Sequence, residues 1–139
     1  VLAIEDELSE TVLRRLLAAS GRGFEVDRVV MARGFGRIKV KMETFATASR
    51  AVPHIVLTDL DRHACVSPES RLANPRSSAP ASFHVAVREV ESWLLSDRPG
   101  IADFLRVPAS KVPAPAEAVA DPKQALINLA RRSQSHRLR

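Results

Sequence analysis

Short runs of consecutive apolar residues alternate along this chain with longer segments in which apolar residues return every three or four positions. The short runs read as strands buried on both faces, the periodic segments as amphipathic helices. Val1–Ile4 is the first run and leads straight into Glu5, Asp6 and Glu7. A helix opens at Ser9 and the neighbouring acids, where hydroxyls and negative charge stabilise free N–H groups. Leu8, Val12, Leu13, Leu16 and Leu17 give it an apolar face, and Gly21 stops it. Phe24–Ala32 predicts a second strand. Lys39–Ser49 predicts a covering helix with Val40, Phe45 and Ala48 inward. Ile55, Val56 and Leu57 follow Pro53 as a third strand, which ends in Thr58, Asp59, Leu60 and Asp61. Phe83–Val87 predicts a fourth, flowing into a helix with Val87, Val90 and Leu94 at helical spacing.

Between the third and fourth strands the pattern weakens. Ser67–Ala81 is rich in Pro, Ser and Arg and reads as a loop, with a short helical turn around Glu69–Leu72. Beyond Leu95, Asp97 and Pro99 start a helix carrying Ile101, Phe104 and Leu105, and Pro108–Ala120 is a proline-punctuated connection. Asp121-Pro122 opens a last helix with Leu126, Ile127, Leu129 and Ala130 apolar. Strands alternating with helices predict an α/β fold with a mainly parallel sheet.

Composition changes this picture little. The 139 residues fit one domain with a real core, and 45% apolar with 27% charged residues is ordinary for a soluble globular protein. A formal charge of +5 favours a polyanionic partner. Cys65 is the only cysteine, so no internal disulfide forms and a reducing, cytoplasmic setting is expected. No apolar run approaches a membrane span and no signal peptide opens the chain, so no membrane partner is expected. The chain starts without Met inside a predicted strand, which points to a residue or two upstream.

The candidate chemistry gathers at strand ends, where ligands bind in open α/β sheets. Glu5 ends the first strand, and Asp59 and Asp61 end the third. If that strand runs on through them, alternation puts both aspartates on one side. Like charges so close repel unless a cation or base separates them. Hard oxygen ligands suit Mg²⁺ or Mn²⁺; the plain alternative is a pair of solvated turn residues. Glu89 and Glu91 stand where the fourth strand gives way to its helix, as a further acidic pair; the alternative is a surface pair between Arg88 and Glu91. Arg33-Gly-Phe-Gly-Arg37, followed by Lys39 and Lys41, combines glycines that permit close approach with cations that attract phosphate. Its spacing is neither a P-loop nor a dinucleotide fingerprint, and a flexible basic turn is the alternative. His63 and Cys65 are too few for a zinc site. The terminal Arg131–Arg139 stretch is basic and reads as frayed.

An acidic residue ending the first strand, then a helix, then an apolar strand ending in Asp-x-Asp, resembles the Toprim domain. That metal-binding fold is shared by topoisomerases, primases and the overcoming-lysogenization-defect nucleases. The likeness is to small stand-alone bacterial Toprim-like proteins and covers roughly residues 1–107. Residues 108–139 are then a C-terminal helical extension packed on the same domain. The resemblance implies a Toprim-like (Rossmann-like) sheet of about four mainly parallel strands with extra C-terminal helices. It makes Glu5 the Toprim glutamate and Asp59 and Asp61 its Asp-x-Asp pair. Glu91, and Glu89 beside it, fall where the nuclease branch places further metal-binding acid. Gly usually follows the Toprim glutamate, whereas Asp6 stands there in this chain. The chain has no tyrosine, which argues against a covalent topoisomerase mechanism.

The implied activity is Mg²⁺- or Mn²⁺-dependent cleavage of DNA or RNA, in a defence or toxin system, alone or with a partner protein or second copy. Glu5 would hold a second metal or act as general base, and Arg33, Arg37, Lys39 and Lys41 would contact phosphates. Two other readings stand beside it. One is a non-catalytic nucleic-acid or partner-binding module of Toprim shape. The other is a nucleotide-sugar transferase using Asp-x-Asp, for which the chain is short and Glu5 has no task.

Overall fold

The computed structural model describes residues 1–61 and 82–134. Four strands, β1 (Leu2–Ile4), β2 (Val29–Met31), β3 (Ile55–Asp59) and β4 (Ser82–Ala86), form one sheet in the order β2-β1-β3-β4. The sheet is parallel and flanked by helices, as the alternating pattern predicts. Within it Leu2 lies beside both Val29 and Ile55, and Ala3 beside Val30 and Val56. The chain divides into two compact units, residues 1–59 with 82–85, and residues 60–61 with 86–134.

In the first unit, α1 (Glu7–Ala19) starts two residues after β1. Its N-cap is Asp6 rather than Ser9: the Asp6 carboxylate accepts the Ser9 N–H at 2.8 Å, and Ser9 is buried. Leu13 faces the core, but Leu16, expected beside it, is 52% exposed. The reason is length. A three-residue strand spans about 10 Å and a thirteen-residue helix about 20 Å, so the last turns of α1 have no strand beneath them. The helix ends at the Ser20 cap, with Gly21 at φ +66°. Strand β2 is three residues long rather than the nine of Phe24–Ala32, because β1 offers it only three residues of ladder.

α2 (Phe35–Ala48) begins four residues before the expected start at Lys39. Ile38 and Phe45 pack with Ala3, Ala32 and Val56 into one buried cluster. Each residue turns the helix by about 100°, so placing Ile38 inward carries Val40 to the far side. Val40, expected inward, is 85% exposed, and Ala48 is exposed as well.

The second unit holds α3 (Val90–Ser96), α4 (Arg98–Leu105), two short 3-10 turns (Ala109–Lys111 and Ala116–Ala118) and α5 (Pro122–Arg131). Asp97 caps α4 by accepting the Gly100 N–H, and Asp121 caps α5 by accepting the Gln124 N–H at 2.8 Å. Leu95, Ala102, Leu105, Val112, Ala116 and Leu129 share one core, so the proline-punctuated connection is anchored at Val112 and Ala116. Among the described residues no helix is long and apolar enough to cross a membrane. The expected loop at Ser67–Ala81, its turn at Glu69–Leu72, and His63 and Cys65 lie outside the described residues.

The phase of α2 gives a direct test. Ile38→Ala is expected to cost about 2–5 kcal/mol, as large-to-small changes in a packed core do. Val40→Ala should stay within about 0.5 kcal/mol, as at other exposed sites. Urea unfolding midpoints of the two variants distinguish this phase from one with Val40 inward, which would reverse the order.

Candidate functional site

Parallel strands bond in steps of two residues. The Ile55 N–H donates to Val1 O at 3.0 Å, and two such steps further the Asp59 N–H comes level with Glu5. By then the main chain has turned towards α1, and the Glu5 side chain takes the place that its backbone leaves. The Asp59 N–H donates to Glu5 Oε1 at 3.1 Å. The structure thus brings Glu5 and Asp59 together at the ends of neighbouring strands. Asp6, next to Glu5, is occupied as the cap of α1.

Thr58 adds something that sequence reasoning passed over. It is 1% exposed, and its Oγ1 is buried with no hydrogen-bond partner among the described residues. Carrying the Ala3–Val56 pairing on by two residues sets Thr58 across from Glu5. Such an orphaned hydroxyl typically costs about 1–3 kcal/mol. The only signal in the sequence is a hydroxyl that interrupts an otherwise apolar strand.

Asp61 is fixed by its backbone within the second unit. Strand β3 stops at Asp59, and the Leu60 N–H is shared between Ala86 O at 2.9 Å and Arg88 O at 2.8 Å. The Asp61 N–H also donates to Arg88 O, and the Arg88 guanidinium reaches Asp61 O at 3.4 Å. Asp61 itself adopts φ +52°, a conformation that Asp enters more readily than most residues. The strand therefore does not run on through Asp61, and the alternation argument for the Asp-x-Asp pair does not apply. The Asp61 carboxylate is exposed and makes no hydrogen bond or ion pair among the described residues.

Glu89 and Glu91 meet at a partner the sequence did not indicate. Glu89 Oε2 accepts the Lys123 N–H at 3.0 Å, adding a second acceptor to the start of α5. Glu91 is 5% exposed, with Oε1 3.9 Å from Lys123 Nζ. Together they tie α3 to α5.

The basic residues are arranged differently from the expected loop. Only Arg33 and Gly34 lie between β2 and α2 with positive φ, +55° and +120°; at +120° glycine is required. Gly36, Arg37, Lys39 and Lys41 belong to α2. Arg37 and Lys41 lie one turn apart on one flank of the helix, and Lys39 lies on the other. All four cations are exposed and outside any ion pair among the described residues. A shallow concavity on α2, lined by Glu43, Thr44, Thr47 and Ala48, includes none of the predicted site residues.

Whether these acids suit a divalent cation turns on their number. Among the described residues no group of three or more His, Cys, Asp or Glu side chains is drawn together. Mg²⁺ is commonly held by one or two carboxylates, with waters and phosphate oxygens completing its shell. Glu5 and Asp59 are carboxylates of the type such a shell uses, and the contact between them runs from the Glu5 carboxylate to the Asp59 main chain. Comparison with protein-family models, with characterised proteins and with solved structures gave no match.

The bond between Glu5 and Asp59 has a measurable stability. Glu5→Gln keeps an oxygen acceptor for the Asp59 N–H and should change stability by no more than about 0.5 kcal/mol. Glu5→Ala leaves that N–H without its acceptor and should cost about 1–3 kcal/mol. Equal urea midpoints for the two variants would remove the strand-end role from Glu5.

Proposed function

We propose that this chain is a metal-dependent phosphodiesterase acting on nucleic acid. The observation that carries the reading is the pairing of Glu5 with Asp59 at adjacent strand ends, in the residue order that resembles a Toprim domain. Asp61 is assigned to the same chemistry by its place in the Asp-x-Asp motif. Asp59 and Asp61 would hold Mg²⁺ or Mn²⁺, with Glu5 holding a second ion or taking the proton of an attacking water. A divalent ion held there supplies stabilisation of the attacking and leaving oxygens. Arg33, Arg37, Lys39 and Lys41 neutralise backbone phosphates; Arg37 and Lys41, on one flank of α2, suit successive phosphates of one strand. Glu89 and Glu91 are the weakest candidates for metal, since Lys123 engages both.

A second reading, a non-catalytic nucleic-acid or partner-binding module, is favoured by a specific observation. The Glu5 carboxylate already has a structural task as acceptor for the Asp59 N–H. Incubation with labelled single- and double-stranded DNA and RNA in Mg²⁺, Mn²⁺ or chelator separates the two. Cleavage that needs the metal, and that falls at least about a hundredfold in Asp59→Asn and Asp61→Asn, supports the phosphodiesterase. Binding without turnover supports the module.

Salt titration tests the cations separately. Arg33→Ala and Arg37→Ala should each reduce the log–log salt slope of binding by about one unit, for all sequences alike. Slopes equal to that of the parent chain would leave these residues a solvated helix start.

A further inference from the structure

The large majority of buried side-chain hydroxyls are hydrogen-bonded, so one that is not calls for a reason. Thr58 carries such a group: the residue is 1% exposed, and its Oγ1 has no hydrogen-bond partner among the described residues. The surroundings would suit valine, which has the same shape and no polar atom to satisfy. Leu57 beside it is fully buried, and Val56, two residues back on the same face, shares a cluster with Ile38 and Phe45. The hydroxyl therefore lowers the stability of the strand that holds it. What lies beside it is the candidate site. The N–H that holds Glu5 belongs to Asp59, the next residue, whose nitrogen is bonded to the Thr58 carbonyl carbon. The Glu5 carboxylate, 3.1 Å from that nitrogen, is thus brought alongside Thr58, and the Ala3–Val56 register carried forward gives the same neighbours. Thr58 Oγ1–H and the Asp59 N–H are successive donors at one strand end. Of the two, the N–H alone is bonded to Glu5.

We propose that Thr58 is a positioning residue for the Glu5 carboxylate: its hydroxyl joins the Asp59 N–H as a second donor when Glu5 takes part in holding a divalent cation. The inference rests on the metal-dependent reading of Glu5 and Asp59. A carboxylate that ligates a cation keeps lone pairs for hydrogen bonds, and those bonds fix where its oxygens point. Thr58 reaches this partner by one rotation between staggered positions about its Cα–Cβ bond. The rotation exchanges a hydroxyl with a methyl group of nearly the same size, so the packing around it is kept. Two donors on successive residues of one strand hold the carboxylate more narrowly than one. The unpaired hydroxyl is then a group kept ready for the occupied site.

The test is calorimetric Mn²⁺ binding by the 139-residue chain without nucleic acid, beside urea unfolding in chelator. Thr58→Val keeps the shape and removes the hydroxyl. In chelator it should unfold at a urea concentration no lower than the parent's, because no bond is lost and an unpaired polar group is removed. Its Mn²⁺ affinity should fall at least about tenfold, as when a group that orients a metal ligand is removed. Thr58→Ser keeps the hydroxyl and should retain most of the affinity. Three results would overturn the proposal. They are a Thr58→Val chain that binds Mn²⁺ as the parent does, a Thr58→Ser chain that binds it as weakly as Thr58→Val, or a lower urea midpoint for Thr58→Val in chelator. The last would mean that the hydroxyl already holds a bond without the cation. Each of the three leaves the metal-dependent reading standing, whereas a parent chain that takes up no Mn²⁺ removes both.

Discussion

Leu2, Ala3 and Ile4 set the dimensions of the sheet. They are the buried middle strand against which β2 and β3 both take their register, and there are only three of them. Their number limits β2 to three residues and leaves the end of α1 overhanging. It also releases the main chain at Glu5, level with the Asp59 N–H, so that a side chain rather than a peptide carbonyl completes the ladder. A longer β1 would satisfy that N–H with backbone and free the carboxylate. The candidate site therefore follows from where this short strand stops.

The parts that were legible in the sequence are those whose signals are local. An apolar run after Pro53 gave β3, and Asp97 and Asp121, each just ahead of a proline, gave the caps of α4 and α5. The start of α2 is not legible locally, because Gly-Phe-Gly suggests a loop and glycine inside a helix costs about 1 kcal/mol against Ala. Burial of Ile38 outweighs that cost. The length of β2 and the exposure of Leu16 depend on how much of β1 lies alongside, which no window of the sequence contains. The same division runs through the candidate site. Glu5 at a strand end was legible, whereas its bond to a residue 54 positions away was not. The convergence of Glu89 and Glu91 on Lys123 likewise needed the packing of α3 with α5.

Charge is spread less evenly than the total implies. Residues 1–61 carry nine Lys and Arg against nine Asp and Glu, so the segment that holds Glu5 and Asp59 has no excess of its own. Long-range attraction of a polyanion to that segment is correspondingly weak, and beyond about 8 Å salt screens what remains. The positive charge nearest to hand in that segment is local, on individual exposed side chains such as Arg37 and Lys41.

The junction between β1 and α1 consists of Glu5 and Asp6 alone, one completing the ladder and the other capping the helix. With no spare residue between them, the position of Glu5 is geared to the rotation of α1. Inserting a single residue would turn the helix by about 100° and roll Ser9 and Leu13 out of the core. Deleting one would remove either the cap or the carboxylate. Over evolutionary time such a hinge can exchange its side chains but not its length. The reach of the acid at position 5 is therefore set by the choice between Glu and Asp, and not by any slack in the chain.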